Sequence, residues 1–375
     1  MKPNNKNIFK SILWGVIQLA LFIALYQLFI SYVKEARDIR EKTITYTISP
    51  EKDDIGFTPP DREIAAKAHP EEVKTGTYLE RIINFDIVQS RWQYEFYQWF
   101  TWDPKKVNFM PVAELEKGAT KPENLPFKII NGDIEHAETI DFNVDSSKKI
   151  AYVLYLLKAT NTQFFDASTF PMDKHLLEIP IEHVKADINQ IKFIPDTAGS
   201  NVSSRVAINS YILGKHYATY KLHTYKSALG DPRIIGGNHK TFSQYRFCVI
   251  VKRNGYIYYT KMFVTLIVAI LIAFLSFFAA DNEKVRIITS SLFTAAASYY
   301  ILGAKIPSSS TITIAELVNI ISLITIFIIT CQETILKFWI KKNPFLTLIT
   351  NWLTFIYTLI FYLAINFEIP YILNV

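Results

Sequence analysis

The chain has 375 residues, 50% of them hydrophobic and 14% aromatic, which is more apolar mass than one soluble core of this size uses. Its formal net charge of +6 is spread along the chain rather than gathered into a stripe, which argues against a nucleic-acid partner. Cys248 and Cys331 fall in a polar and an apolar segment, and none of the seven histidines is spaced as a metal ligand beside another His or a Cys, so no disulfide framework, metal site or cofactor is expected.

In chain order, residues 1–10 carry Lys2, Lys6 and Lys10 and read as a short cytoplasmic N-terminus. The run 11–33 is long enough to cross a bilayer at about 1.5 Å rise per residue. It exceeds an ordinary signal-peptide core, and SYVKEARDIREKT offers no small-x-small cleavage site, so an uncleaved anchor is expected in preference to a cleaved signal. Residues 34–72, with PEKDD, TPPD and AHPEE, lack helical or strand periodicity and read as a linker.

From 73 to 255 the texture becomes short alternating runs rich in Tyr, Phe, Ile and Val, among them RWQYEFYQWFTW, KIAYVLYLL, HLLEIPIEHV and QYRFCVIVKR. Turn residues separate them, which predicts an all-β sandwich, antiparallel and immunoglobulin-like. Along RWQYEFYQWFTW, Trp92, Tyr94, Phe96, Gln98 and Phe100 share one face, while Tyr97 and Trp99 lie on the other. With aromatics on both faces, the second is expected to meet another subunit or a ligand.

Four more runs, 256–280, 284–304, 312–332 and 345–365, predict a four-helix transmembrane bundle over 256–366, followed by a tail at 367–375. The second of these carries Thr289, Ser290, Ser291, Thr294 and Ser298, and is better suited to water or other helices than to lipid. If the spans alternate, the N-terminal lysines, Lys284 and Arg286, and Lys337, Lys341 and Lys342 fall on one side. That side is then cytoplasmic, and 34–255 and the C-terminal tail lie outside. No Gly-x-Ser-x-Gly, His-Glu-x-x-His, Walker or Gly-x-Gly-x-x-Gly motif occurs, so an enzyme is not expected and no catalytic residue is assigned.

The stretch QFFDASTFPMDKHLL, 163–177, carries the most specific pattern in the chain. It resembles, without a gap, the loop Cys-x-x-Asp-x-x-x-Phe-Pro-Phe-Asp-x-Gln-x-Cys of the pentameric ligand-gated ion channel (Cys-loop receptor) superfamily. Asp166, Phe170, Pro171 and Asp173 coincide; His175 replaces the glutamine, and Gln163 and Leu177 replace the cysteines, an absence of the disulfide that resembles members from prokaryotes. KRNGYIYYTKMF resembles the entry to the first channel helix, with Arg253 at the family's arginine but without its helix proline. EKVRIITSSLFTAAASYYILGAKIPSSSTIT resembles the pore helix and the loop after it, with Pro307 as the loop proline. The likeness covers about 73–366 and omits the N-terminal span.

The resemblance implies a homopentamer in a bacterial inner membrane, surrounded by lipid, with the β-domain in the periplasm. A small-molecule ligand or protons would open a pore for small ions. Asp166, Phe170, Pro171, Asp173, Arg253 and Pro307 would couple the domains, with Asp173 paired to Arg253. On the pore helix, spacing of three and four places Glu283, Arg286, Ser290, Phe293, Ala297 and Tyr300 or Ile301 on one stripe, with Phe293 as the gate. Glu283 argues for cations and Arg286 for anions, with a slight lean to cations. Agonist would sit between Tyr220, Tyr225 and Phe193 of one subunit and Tyr97 or Trp99 of the next; alternatively His175, His183 or carboxylates would sense protons. The rival reading is a non-conducting, membrane-anchored periplasmic sensor or adhesion protein, which has no need of a polar span. A transporter would want midplane charges or broken helices that the runs lack.

Overall fold

The computed structural model of the chain describes residues 5–57, 59–107, 109, 121–145, 147–227, 240–306, 311–335 and 344–374. Contacts divide the chain into two units. One comprises Met1–Ile39, Asp166–Asp173 and Arg253–Val375; the other comprises Arg40–Phe165 and Lys174–Lys252.

The first unit is helical. Helix α1 runs from Asn5 to Ile48, α3 spans Gly255–Leu275, α4 Asp281–Gly303, α5 Ile314–Ile335 and α6 Pro344–Asn374; the short α2, Arg62–Lys67, belongs to the other unit. Five of these six helices are long and apolar enough to cross a bilayer, and the protein is membrane-embedded. α4 packs against α3 and α5, and α6 packs against α3 and α5. Along the helices Thr and Ser hydroxyls donate to the carbonyl one turn back, as Ser322 does to Val318 and Thr325 to Ile321, so these hydroxyls find a partner within their own helix in apolar surroundings.

Among the described residues, the second unit holds ten strands in two sheets around one apolar core. The larger sheet has the order β4 (Gly132–Asp145), β5 (Ile150–Thr162), β2 (Arg91–Trp102), β1 (Glu71–Asp86), β7 (Ile191–Pro195), with β8 (Asn201–Val202) also on β1. The smaller has the order β3 (Phe127–Ile129), β6 (Lys174–His183), β10 (Thr241–Arg253), β9 (Tyr211–Thr224). The alternation in β2 puts Trp92, Tyr94, Phe96 and Phe100 in the core, with Leu177 and Ile179 of β6 and Phe247 and Val249 of β10. Gln98, on the same face, is buried and bonded to the hydroxyls of Thr75 and Thr77, so an amide is accommodated in an aromatic core.

This architecture corrects the expected immunoglobulin-like antiparallel sandwich. β1 pairs parallel with both β7 and β8, because the chain crosses over to the free edge of β1 before returning to the smaller sheet. Period-two alternation identifies strands but says nothing about which edge a strand joins or in which direction. The expected set of four helices plus one short anchor is corrected too. The helices number six among the described residues, and the N-terminal one extends 44 residues, well past 33. KEARDIREKTITYTI holds neither Gly nor Pro, so once started the helix propagates until the Ser49-Pro50 pair disfavours it.

The last turns of α1 pack onto β6, β9 and β10. Ile44 and Ile48 lie with Leu176, Cys248, Tyr217 and Ile250. The buried Lys221 ammonium donates to the carbonyls of Tyr46, Ser49 and Lys52 at 2.5–2.6 Å, capping the helix end with positive charge. The Glu41 carboxylate meets Lys174 at 2.9 Å. The span read as a featureless linker thus holds the end of α1 and the capped α2, whose Asp61 accepts from Glu63 and Ile64 amides.

Candidate functional site

The Phe-Pro stretch groups with the helices. Asp166 shapes it: its carboxylate accepts from the Ser168 amide and hydroxyl at 2.9 and 2.8 Å, and Phe170 and Met172 donate to Ala167 and Thr169 carbonyls to close successive turns. Residues Ala167 to Asp173 are all buried, and the Phe170–Pro171 peptide is cis.

At the end of this loop Asp173, fully buried, accepts from Arg253 Nε at 2.6 Å and Nη2 at 3.2 Å, while the Arg253 amide donates to the Asp173 carbonyl at 2.9 Å. The guanidinium also lies 5.1 Å from the Phe170 ring centre and 4.5 Å from that of Tyr258. Its charge is therefore compensated by a bidentate carboxylate and by two aromatic faces in a place with little water.

The loop's other partner within the same unit is the start of α5. Helix N-termini leave unpaired amides, and burial makes each one costly. Here the Ile314 amide donates to the Ser168 carbonyl at 2.9 Å and the Ala315 amide to the Phe170 carbonyl at 3.0 Å. Thr313 and Glu316 supply the remaining two through a reciprocal capping box: Glu316 Oε2 accepts from the Thr313 amide at 2.8 Å, and Thr313 Oγ1 accepts from the Glu316 amide at 3.2 Å. The loop thus completes the helix, and neither can shift without breaking main-chain bonds. This role for α5 escaped the sequence reading, although TITIAEL contains the Thr-x-x-Glu signature of such a cap.

Helix α4 has two unlike faces. Lys284, Ile288, Ser291, Ala295, Ser298 and Leu302, spaced by four and three, are buried. Ser291 donates to the Ala269 carbonyl of α3 at 2.7 Å, and the Lys284 ammonium reaches the Glu333 carboxylate of α5 at 3.1 Å. The predicted stripe is on the opposite side: Arg286, Ser290, Phe293, Ala297, Tyr300 and Ile301 are all exposed, Phe293 at 72% and Tyr300 at 85%. Glu283, half-buried, pairs with Arg286 one turn on at 2.6 Å. Pro307 lies outside the described residues.

The predicted ligand residues are not brought together within one chain. Tyr97 and Trp99 are half-buried on the outer face of β2; Trp99 donates to Asp196, which also meets Lys74 at 3.2 Å. Tyr220 lies on β9 under the Lys192 ammonium, 5.2 Å from its ring centre. Tyr225 donates to the buried Glu182 at 2.9 Å and lies near Lys128 and His223. Phe193 requires a correction: it is fully buried among Phe100 and Phe109 in the core and has no surface to offer a ligand. Alternation along NQIKFI placed an apolar residue on one face of the strand without saying which face is covered.

Among the acid-titrating candidates, His175 is buried against Phe85 and Phe165. Burial lowers the pKa of His183, and its Nδ1 accepts from the Lys185 and Ala186 amides, so its neutral form is favoured. Glu178 on β6 differs. Burial raises its carboxyl to about 6, because Arg246, 3.7 Å away, gives its close contact of 2.7 Å to Asp54 instead. No protein-family model matches the chain, and no curated protein matches it either.

Proposed function

We propose that this chain is one subunit of a homopentameric, ligand- or proton-gated ion channel, related to the prokaryotic members of the pentameric ligand-gated superfamily. It would sit in a bacterial inner membrane with its N-terminus cytoplasmic and its β unit periplasmic. The observation that carries the reading is α4. One side of it is packed on α3 and α5, and the other is a bare stripe of Arg286, Ser290, Phe293, Ala297 and Tyr300 on the least apolar of the five spans. A lipid-facing helix has no use for Arg286 and Ser290 on its bare side. Five copies turned inward give those residues water, and five Phe293 rings make an apolar constriction that closes by dewetting.

The junction supplies the transmission. Movement of the loop Asp166–Asp173 pulls on the α5 amides that its carbonyls complete, and α5 in turn packs on α4 and holds its Lys284. Arg253, where β10 ends just before α3, keeps the loop in place through Asp173. The lean to cations is supported by the Glu283–Arg286 pair, in which the guanidinium charge is partly compensated at the mouth of the stripe.

Current recording from reconstituted protein, stepped from neutral to acid and given small cationic ligands, tests this together with the mass of the detergent complex. Gated currents and five copies are expected. One or two copies with no current under any condition overturn the proposal in favour of a non-conducting membrane-anchored sensor.

A further inference from the structure

Helix α1 is bound along its membrane length to α5 and α6 by polar side chains. Thr350 Oγ1 lies 3.3 Å from Ser11 Oγ, Thr354 donates to Gln18 Oε1 at 2.8 Å, and Gln18 Nε2 donates to Gln332 Oε1 at 3.3 Å. The Trp14 indole also donates to Gln332 Oε1, whose amide nitrogen in turn lies 3.4 Å from Asn351. Gln18, Gln332, Thr350 and Thr354 are all buried. Hydrogen-bonded amides between membrane helices act as clasps, since separating the helices would leave them without partners in an apolar medium. Further along, Phe22 meets Phe361 with ring centres 4.8 Å apart, and Tyr26 donates to Glu368.

Beyond that grip, the Tyr32 phenol donates to the Ile312 carbonyl. Ile312 is the residue immediately before the Thr313 cap, whose helix has two amides completed by the loop. The chain entering α5 is therefore held from two sides, by the loop through backbone bonds and by α1 through one side chain.

We propose that α1 is a restraint on the coupling junction and that Tyr32 is a positioning residue, held over the entry to α5 by the Gln18–Gln332–Thr354 clasp. This rests on the channel reading, but it makes a claim about α5 that stands apart from conduction. Releasing the phenol loosens the first turn of α5 and changes how tightly that turn stays bonded to the loop.

The test uses the full chain in lipid nanodiscs and in a planar bilayer, with Tyr32→Phe, Gln18→Leu and the double variant. Amide hydrogen exchange of the peptide covering the first turn of α5 is expected to speed up about tenfold in each single variant, and by no more in the double, because both act through the same helix. In recordings, the activation midpoint should shift at least threefold while unitary conductance stays as in the parent. Unchanged exchange in Tyr32→Phe overturns the inference, whether or not current flows. Exchange that changes in a chain passing no current supports the restraint and removes only the channel reading. If Gln18→Leu fails to assemble, Tyr32→Phe decides alone.

Discussion

Two arginine–carboxylate pairs in the helical unit have the same closest approach, 2.6 Å, and different surroundings. Arg253 and Asp173 are 6% and 1% exposed, whereas Arg286 and Glu283 are 81% and 42% exposed. In the first, loss of one partner strands a charge among buried groups; in the second, water replaces whatever is lost. Equal distances therefore mark a structural joint in one place and a tunable charge in the other.

The largest effect is expected at the joint. Asp173→Ala should destabilise the detergent-solubilised protein by about 3–5 kcal/mol, read as a fall in unfolding temperature, because Arg253 keeps its charge without a counter-ion. Asp173→Arg and Arg253→Asp should each abolish gating, with the exchanged double recovering part of it. A double that recovers neither stability nor gating would show that the pair is not the joint.

Glu178 sharpens the contrast, being half-buried where Asp173 is fully buried, and only loosely paired. Its folded pKa of about 6 stands above the ordinary 4.5, so the folded state binds the proton more tightly than the unfolded one. The resulting stabilisation is fully present below 4.5 and disappears as the pH rises through about 6, a swing of about 2 kcal/mol. Asp54, Arg246, Lys221 and Cys248 share the site, so the quantity to measure is the difference between parent and Glu178→Gln across that range. The variant should be the more stable of the two near neutral pH and lose this part of the slope; an unaltered slope would place the titration elsewhere.

A smaller loss, about 1 kcal/mol, is expected for Thr313→Ala, which removes one side of the α5 cap while leaving the loop bonds intact. Thermal unfolding measures it, and hydrogen exchange of the first turn shows where it acts. Smallest in stability are the α4 variants. Arg286→Gln and Glu283→Gln should change it by less than about 0.5 kcal/mol and yet move the reversal potential in a salt gradient in opposite directions. Phe293→Ser, also on the exposed stripe, should raise leak current. A large stability loss in any of these three would mean that the stripe is covered within one chain.

Much of the helical unit is legible in the linear chain, because burial in lipid requires about 20 apolar residues per span and that requirement is local. The stripe on α4 is legible for a similar reason, since helical period alone separates Ser290 and Phe293 from Ser291 and Ala295. The Asp173–Arg253 contact is expected from a resemblance, not from spacing, since the two residues are 80 positions apart. Phe193 shows the opposite limit: a strand pattern identifies a face without saying what covers it. Gln18 and Gln332 were visible as polar residues in apolar runs, but nothing local pairs one with the other across more than 300 positions.

By itself the amino-acid order determined which segments enter the membrane and which form strands; the stop of α1 at Ser49-Pro50 and the Thr313–Glu316 cap rest on equally local residues, though the sequence reading passed over both. Each of these depends on residues within a turn or two, where backbone sterics and hydropathy act directly. Only the tertiary structure decided that β1 takes parallel neighbours, that α1 clasps α5 and α6, and that the carbonyls of Ser168 and Phe170 complete α5. Those are pairings between groups whose individual preferences are satisfied equally well by many partners, and the choice among them is made by what the whole chain can bury at once.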